Sequence, residues 1–170
     1  MKNNLFLINL LISLFFSTNL FANNLEISSS EIRLDKKESK IILKGNIKAV
    51  DENKNILKAE EAFYLKDQDL LNSTGLTSII TSENYLLESE NVIFDNKNKV
   101  IKSDFPTKIT DPSGNIFSVK MFNYNSIKNV LFSKGEIKLE DINKNIYKFN
   151  QIYIDEKKKK VIGSDAKVFF

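Results

Sequence analysis

Evenly spaced carboxylates are the residues of this chain that could do chemistry. Asp51, Asp111 and Asp141 lie at multiples of 30 residues from one another, and carboxylates in a row can act as general acids or bases or bind Ca²⁺. The 170 residues include no His and no Cys, which excludes the usual proton shuttle, a thiolate nucleophile and an ordinary zinc site. Each Asp is followed four residues later by Asn, a pairing typical of tight turns. We therefore predict turns here, and no catalytic residue, metal site or cofactor.

The aspartates belong to a longer pattern, because the sequence matches itself every 30 residues without a gap from Gly45 almost to the C-terminus. Apolar, polar and small residues each keep to their own columns when the rows are aligned. Four such columns are Ile56, Leu86, Ile116 and Ile146; Leu57, Leu87, Phe117 and Tyr147; Tyr64, Phe94, Tyr124 and Ile154; and Ser73, Ser103, Ser133 and Gly163. A fixed period of this length indicates stacked units that cannot bury their apolar faces alone.

Within each row, apolar residues alternate with polar ones at a period of two, which is typical of half-buried antiparallel strands. The first row predicts one strand through 41–49 and a second from Ile56 to Tyr64, so that each row contains two strands and two turns. The alternation slips by one residue near Glu60, which predicts a bulge, and Gly45 in mid-strand predicts a bend. The predicted fold is all-β: bent hairpins stacked into a trough with an apolar inner wall.

The inner wall of this trough is the candidate functional site. Its predicted lining residues are Ile47, Ala49, Leu57, Ala59, Ala62, Tyr64, Leu71, Ile79, Leu87, Val92, Phe94, Ile101, Ile109, Phe117, Val119, Phe122, Tyr124, Leu131, Ile137 and Leu139. One interpretation is an ordinary core, filled by these side chains. The other is a groove with unfilled width, because inward positions such as Ala49, Ala59, Ala62 and Ser73 are small. Such width could hold a lipid chain.

The N-terminal residues 1–22 resemble a cleavable secretory signal, with Lys2 ahead of an apolar run and Ala22 at the expected cleavage site. An uncleaved anchor is the alternative. Residues 23–170 are predicted to form one exported domain. Without Cys, that domain has no disulfide, so its stability must come from stacking.

The charge pattern gives no sign of a nucleic-acid partner. Without Lys2 the chain has 24 basic and 22 acidic residues, a net charge of +2, in small alternating clusters. The basic run from Lys157 to Lys160 falls on a predicted hairpin tip, which indicates a solvated turn.

Three short motifs resemble a known family. They are G-N-I-K-A-V-D at Gly45 to Asp51, L-K-A-E-E at Leu57 to Glu61, and I-G-S-D at Ile162 to Asp165. With the N-terminal signal and the all-β rows, they resemble the OstA-like lipopolysaccharide-transport family from Leu25 to Phe170. That family comprises the periplasmic bridge protein LptA and the N-terminal domain of the outer-membrane translocon LptD. A stand-alone bridge protein and a truncated translocon both fit, although the cysteines usual in the translocon are missing.

The resemblance implies an open antiparallel β-jellyroll that shields the acyl chains of lipid A while lipopolysaccharide crosses the periplasm to the outer membrane. It also implies edge-strand pairing with homologous jellyroll domains of the transport bridge. The predicted edges are the half row from Leu25 to Lys44 and the row begun by Asp165 to Phe170. The implied location is the periplasm, with contact to the outer membrane left open.

Two other kinds of protein fit a repeat of this length. A parallel β-solenoid that binds or cleaves polysaccharide can approach the same period, although the Asp- and Asn-rich turns suit hairpins better. A scaffold or adhesin with a solid core and no lipid ligand is the other alternative, and ligand binding would separate it from the transport function.

Overall fold

The computed structural model describes residues 25–169, and β-strands dominate this part of the chain. The predicted signal at residues 1–22 and the last residue of the chain lie outside the described residues. The strands are β1 Glu26–Ser28, β2 Glu31–Asp35, β3 Lys40–Val50, β4 Ile56–Leu65, β5 Leu70–Ile80, β6 Leu86–Glu90, β7 Ile93–Asp95, β8 Val100–Ser103, β9 Thr107–Thr110, β10 Ile116–Val119, β11 Phe122–Asn125, β12 Val130–Glu140, β13 Ile146–Asp155, β14 Lys160–Ser164 and β15 Lys167–Phe169. A single turn of 3-10 helix, Lys66–Gln68, lies between β4 and β5.

All fifteen strands belong to one sheet that folds back on itself, and the pairings among them are antiparallel. The all-β antiparallel jellyroll is therefore confirmed, and the parallel β-solenoid is wrong. The long strands β3, β4, β5, β12 and β13 pass through the fold line, which we call the corner. The first half-sheet contains β1, β6, β9, β10 and β15 with residues 47–50, 56–59, 76–80, 137–140 and 146–149. The second half-sheet contains β2, β7, β8, β11 and β14 with the other halves of the long strands.

The long strands bend at the corner because the strand register shifts there. The pairing of β3 with β4 shifts between Lys44 and Ile47, where Gly45 has a φ of 70°. The pairing of β4 with β5 shifts between Ala59 and Glu61, which confirms the predicted bulge. A bulge or a positive-φ glycine kinks a strand, so both devices turn the inner faces of the two half-sheets towards each other.

Between β5 and β12 the rows are broken at the corner, whereas the alternation predicted continuous strands. Small inward residues satisfy the backbone at these breaks. The Ser73 hydroxyl accepts a hydrogen bond from the Val92 amide at 2.9 Å and donates to the Val92 carbonyl at 3.2 Å. The hydroxyls of Ser103 and Ser133 donate to the carbonyls of Glu90 and Met121. These serines therefore replace missing ladder bonds.

The turns opposite the corner form two rows, which we call the lips. The first lip contains the turns at 51–55, 81–85, 111–115 and 141–145, and the second lip those at 36–39, 66–69, 96–99, 126–129 and 156–159. In the first lip, Asp51 accepts hydrogen bonds of 2.8 Å from the amide and from the side chain of Asn55. Asp111 and Asp141 do the same for Asn115 and Asn145. The turn function of these aspartates is confirmed.

Candidate functional site

The twenty residues predicted to line the inner wall all lie between the two half-sheets. Eighteen of them are buried, and the other two, Tyr64 and Leu139, are partly buried and pack against the same core. The core also includes Leu43, Ile152 and Ile154, which alternation would have placed there, and Tyr85, which replaces the turn Asn of the other rows. The sequence pattern thus identified the inner face correctly; whether that face binds lipid remains a prediction.

The interior is filled by its own side chains. Phe94, Phe117, Phe122 and Tyr124 are among its largest members, and each is almost completely shielded from solvent. The small inward alanines Ala49 and Ala62 are buried as well, whereas Ala59 borders a cleft at the corner. Along the middle of the stack the side chains therefore form a filled core, which is the first of the two interpretations that the sequence left open.

Polar contacts between the lips close the side opposite the corner. The Tyr124 hydroxyl, beside the second lip, donates to Asn55 Oδ1 at 3.4 Å, and Asn129 Nδ2 donates to Ser82 Oγ at 2.8 Å. Lys99 Nζ lies 3.0 Å from Glu52 Oε1. These contacts join residues of different rows, so the lips are staggered along the stack. Closure depends on a small number of polar contacts above an apolar core.

The two lips carry opposite charge. The first lip contains five acidic residues and two lysines, whereas the second contains nine lysines and four acidic residues. Opposite charges on facing edges attract, and salt screens that attraction at exposed positions. The charge pattern therefore favours the closed state and makes it sensitive to ionic strength.

The apolar interior is uncovered at both ends of the stack. At the N-terminal end, Ile32 and Leu34 of β2 share a face with the core residues of β3 but are 62% and 60% exposed. At the C-terminal end, Val161 lies opposite the buried Ile154 and is 40% exposed, and Val168 is similarly open. The same inner face that is buried in the middle thus meets solvent at the ends.

The strand edges lie at the same two ends. Strands β1 and β2 pair only with β3, and β14 and β15 pair only with β13. Each end therefore presents unpaired backbone groups beside exposed apolar side chains, which is the arrangement that accepts another strand. The sequence placed both edges in these segments.

A cleft of about 540 Å³ lies in the first half-sheet near the corner. Charged outer-face residues, Lys58, Glu60 and Glu88, line it together with the exposed Leu76. Ile47 and Ala59, two of the residues predicted to line the lipid groove, also line this cleft, so it reaches the inner face at the corner.

Glu156 is a buried acid that the sequence interpretation did not single out. It lies in the second lip, is only 1% exposed, and its oxygens have the hydroxyls of Thr81 and Tyr124 nearby without a hydrogen bond of good geometry. Burial raises the pKa of Glu156 from 4.5 to about 7, and the charge of Glu83 adds to the shift, while the nearby hydroxyls of Thr81 and Tyr124 oppose it. The column of Lys66, Asn96, Ser126 and Glu156 mixes charged and neutral residues, so nothing in the sequence indicated that Glu156 is buried.

Two absences apply to the described residues. Across 25–169 no helix has the length and apolarity to cross a membrane. In the same range, the acidic side chains nowhere form a group of three or more that could hold a metal ion.

Comparison with known proteins gives a loose structural likeness. No family model matches the chain, and no curated protein matches it. Among solved structures, the chain is similar to the crystal structure of LptH, the LptA homologous periplasmic component of the conserved lipopolysaccharide transport device from Pseudomonas aeruginosa. The identity is 10% and the TM-score 0.33, over 87% of this chain and 95% of that chain. Values this low do not transfer a function, so the residues of this chain must supply the argument.

Proposed function

We propose that this protein binds lipopolysaccharide through the acyl chains of lipid A and shields those chains while the lipid crosses the periplasm. The observation that carries the proposal is the continuous apolar inner face, which is buried along the stack and exposed at both ends. Ile32 and Leu34 are open at one end, and Val161 and Val168 at the other. A face of this kind can receive an apolar chain at one end and release it at the other.

The physics of the lipid explains why such a face is needed. Holding one methylene in water costs about 0.8 kcal/mol, so an acyl chain of roughly a dozen methylenes costs on the order of 10 kcal/mol. A lipid with several chains cannot cross an aqueous compartment without cover. The sugar headgroup can stay in water, and no covalent chemistry is required.

The filled interior sets a condition on how the lipid would bind. Because Phe117 and Phe122 occupy the space between the half-sheets, an acyl chain can insert only if the half-sheets separate. Opening would break the polar contacts between the lips and replace side-chain contacts with contacts to the lipid. The twenty inner-wall residues, from Ile47 to Leu139, are then the proposed acyl-chain contacts.

We further propose that the two strand edges extend the path by pairing with homologous jellyroll domains. The unpaired sides of β1 and β2 and those of β14 and β15 lie beside the exposed inner-face residues. Pairing there would continue both the sheet and the apolar face from one protein to the next. A periplasmic location fits this function, and contact with the outer membrane is left open.

A scaffold without a lipid ligand is the second candidate, and the filled interior favours it. A solid core made by residues such as Phe94 and Tyr124 needs no ligand for stability. The ends would then serve assembly alone.

Binding of a fluorescent lipid A analogue tests the proposal. We expect saturable binding that weakens at least severalfold in Val161→Lys, because a charge at the open inner face opposes an acyl chain. Ile162→Lys is the matched control: Ile162 is the next residue, lies on the outer face opposite Tyr153 and is 54% exposed.

The control should bind like the wild type, with both variants keeping the β-sheet circular dichroism spectrum. Absence of saturable binding, or equal effects of the two substitutions, would favour the scaffold.

A further inference from the structure

Glu156 lies where the two lips meet. Its backbone amide donates to the Asn129 carbonyl at 3.0 Å, which fixes it in the second lip. Its carboxyl group lies near Thr81 and Glu83 of the first lip and near Tyr124 of β11. A charge at this position therefore acts on both lips at once.

The surroundings of Glu156 favour the neutral acid. The hydroxyls of Thr81 and Tyr124 approach its oxygens, but neither makes a hydrogen bond of good geometry, and none of the ion pairs within 25–169 includes it. The titratable groups that face it are acids and phenols: Glu83 and Tyr85 from the first lip and Tyr124 from the core, with Asp111 and Asp155 close to Tyr85. A buried carboxylate without a hydrogen bond or a cation is strongly destabilising, so it must stay protonated or reach water.

In the two preceding rows, the residue equivalent to Glu156 is uncharged. Asn96 and Ser126 occupy the equivalent place in the two preceding turns, and both are buried. The Ser126 hydroxyl donates to the Lys99 carbonyl, one row below. Buried neutral polar groups thus occupy this position in the two preceding rows, whereas Glu156 adds a group that can ionise.

We propose that Glu156 is a proton-dependent latch: the lips close over its neutral carboxyl group and separate locally when that group ionises. Ionisation requires water at the carboxylate, and water can reach it only if the 156–159 turn moves away from the 81–85 turn. Separation there exposes Tyr85 and Tyr124, which are part of the core. The latch concerns closure itself and holds whether or not the interior takes a lipid.

The direction of the pH effect follows from proton linkage. The pKa of Glu156 is about 7 in the closed state against 4.5 for an ordinary glutamate, so the closed state binds the proton more tightly than the open one. The equilibrium constant for closure is therefore largest below pH 4.5. It falls, by up to about tenfold per pH unit, as the pH rises through about 7.

Amide hydrogen exchange at residue resolution, on the full chain without lipid, tests the latch. The reporter amide is that of Glu156, which donates to the Asn129 carbonyl of the neighbouring turn and loses that bond if the 156–159 turn moves away. After correction for intrinsic exchange, we expect its protection factor to fall by up to about a hundredfold between pH 4.5 and 7. The amide of Asp51, in the first turn of the first lip, should show little change.

Two variants make the test decisive. Glu156→Gln keeps the shape and removes the charge. Its protection factors should therefore stay at the wild-type low-pH value throughout the pH range. Glu156→Ser introduces the residue found at position 126. It removes the charge in the same way if the glutamine variant does not fold. Glu136→Gln, at an exposed glutamate far from the lips, should keep the wild-type response. A wild type with no pH response, or an equal response in Glu156→Gln, would overturn the latch.

Discussion

The middle and the ends of this stack are built from the same repeat, yet they differ in what the repeat exposes. Leu131 and Val161 occupy the same column, 30 residues apart, and both lie on the inner face. Leu131 is fully buried, whereas Val161 is 40% exposed. The difference is not chemical, because both are aliphatic. It arises because β14 has no further strand beside it among the described residues.

This comparison separates two tasks within one pattern. In the middle, inner-face residues stabilise the fold, because each row is covered by the next on both sides. At the ends, the equivalent residues contribute less to stability and remain available to a ligand or to another domain. Residues that look equivalent in the sequence should therefore respond differently to the same substitution.

Truncation of Leu131 and Val161 should show the largest difference between the middle and the ends. Leu131→Ala leaves a cavity in a packed core and should lower the free energy of unfolding by about 3 kcal/mol. Val161→Ala removes partly exposed methyl groups and should cost less than about 1 kcal/mol. Urea denaturation followed by circular dichroism measures both. Equal losses would show that the ends are as well packed as the middle.

The small-residue column gives a second comparison between middle and end. Gly163 follows Ser73, Ser103 and Ser133 in this column, and a Cβ at Gly163 would lie 2.4 Å from Cδ1 of Phe149. Gly163→Ser, which restores the residue of the middle rows, should displace the Phe149 ring and destabilise the fold by about 1–3 kcal/mol. Thermal melting measures the loss. An unchanged melting temperature would show that Phe149 does not need the glycine.

The two lips should respond to pH in opposite directions. Hydrogen bonds from Asn145 lower the pKa of Asp141, so this carboxylate stabilises the folded state above its ordinary pKa and loses that contribution as the pH falls. Glu156 has a raised pKa and loses its contribution as the pH rises. Asp141→Asn should therefore reduce the loss of stability below about pH 4, as read from urea midpoints.

Glu156→Gln should lose stability below about pH 4 in the same way as the wild type. If Asp141→Asn shows the wild-type acid dependence, the turn carboxylate contributes nothing through its charge.

The ion pair between the lips should have the smallest effect. Glu52 is partly exposed, so Glu52→Gln should cost about 0.5 kcal/mol at low salt and less at high salt. Urea midpoints at 20 mM and 500 mM NaCl measure the difference. Glu61→Gln, at an exposed pair with Lys44 on the corner side, is the matched control. It should leave the urea midpoints unchanged.

Most of the fold could be predicted from local rules, because one period recurs along the chain. The Asp–Asn turns, the bulge beside Ala59 and the inner-face parity all follow from neighbouring residues. The strand breaks at the corner could not be predicted, since they depend on how sharply a whole row must bend. Nor could lip closure, because it joins residues as distant as Asn55 and Tyr124, 69 positions apart.

The candidate site shows the same division. Alternation identifies which side chains face inwards, but it cannot say whether they meet each other or leave a groove. That outcome depends on ring volumes from opposite half-sheets, such as those of Phe117 and Phe122. The burial of Glu156 was equally hidden, since it requires the stagger between the lips.

Photo-crosslinking to lipid A in the middle of the stack tests the central claim most directly. A photoreactive phenylalanine analogue replaces Phe117, which is buried on the inner face, or Ser118, the next residue, which is exposed on the outer face. We predict that lipopolysaccharide crosslinks at position 117 and not at position 118. No crosslink at 117, or equal crosslinks at both positions, would contradict a lipid-binding interior.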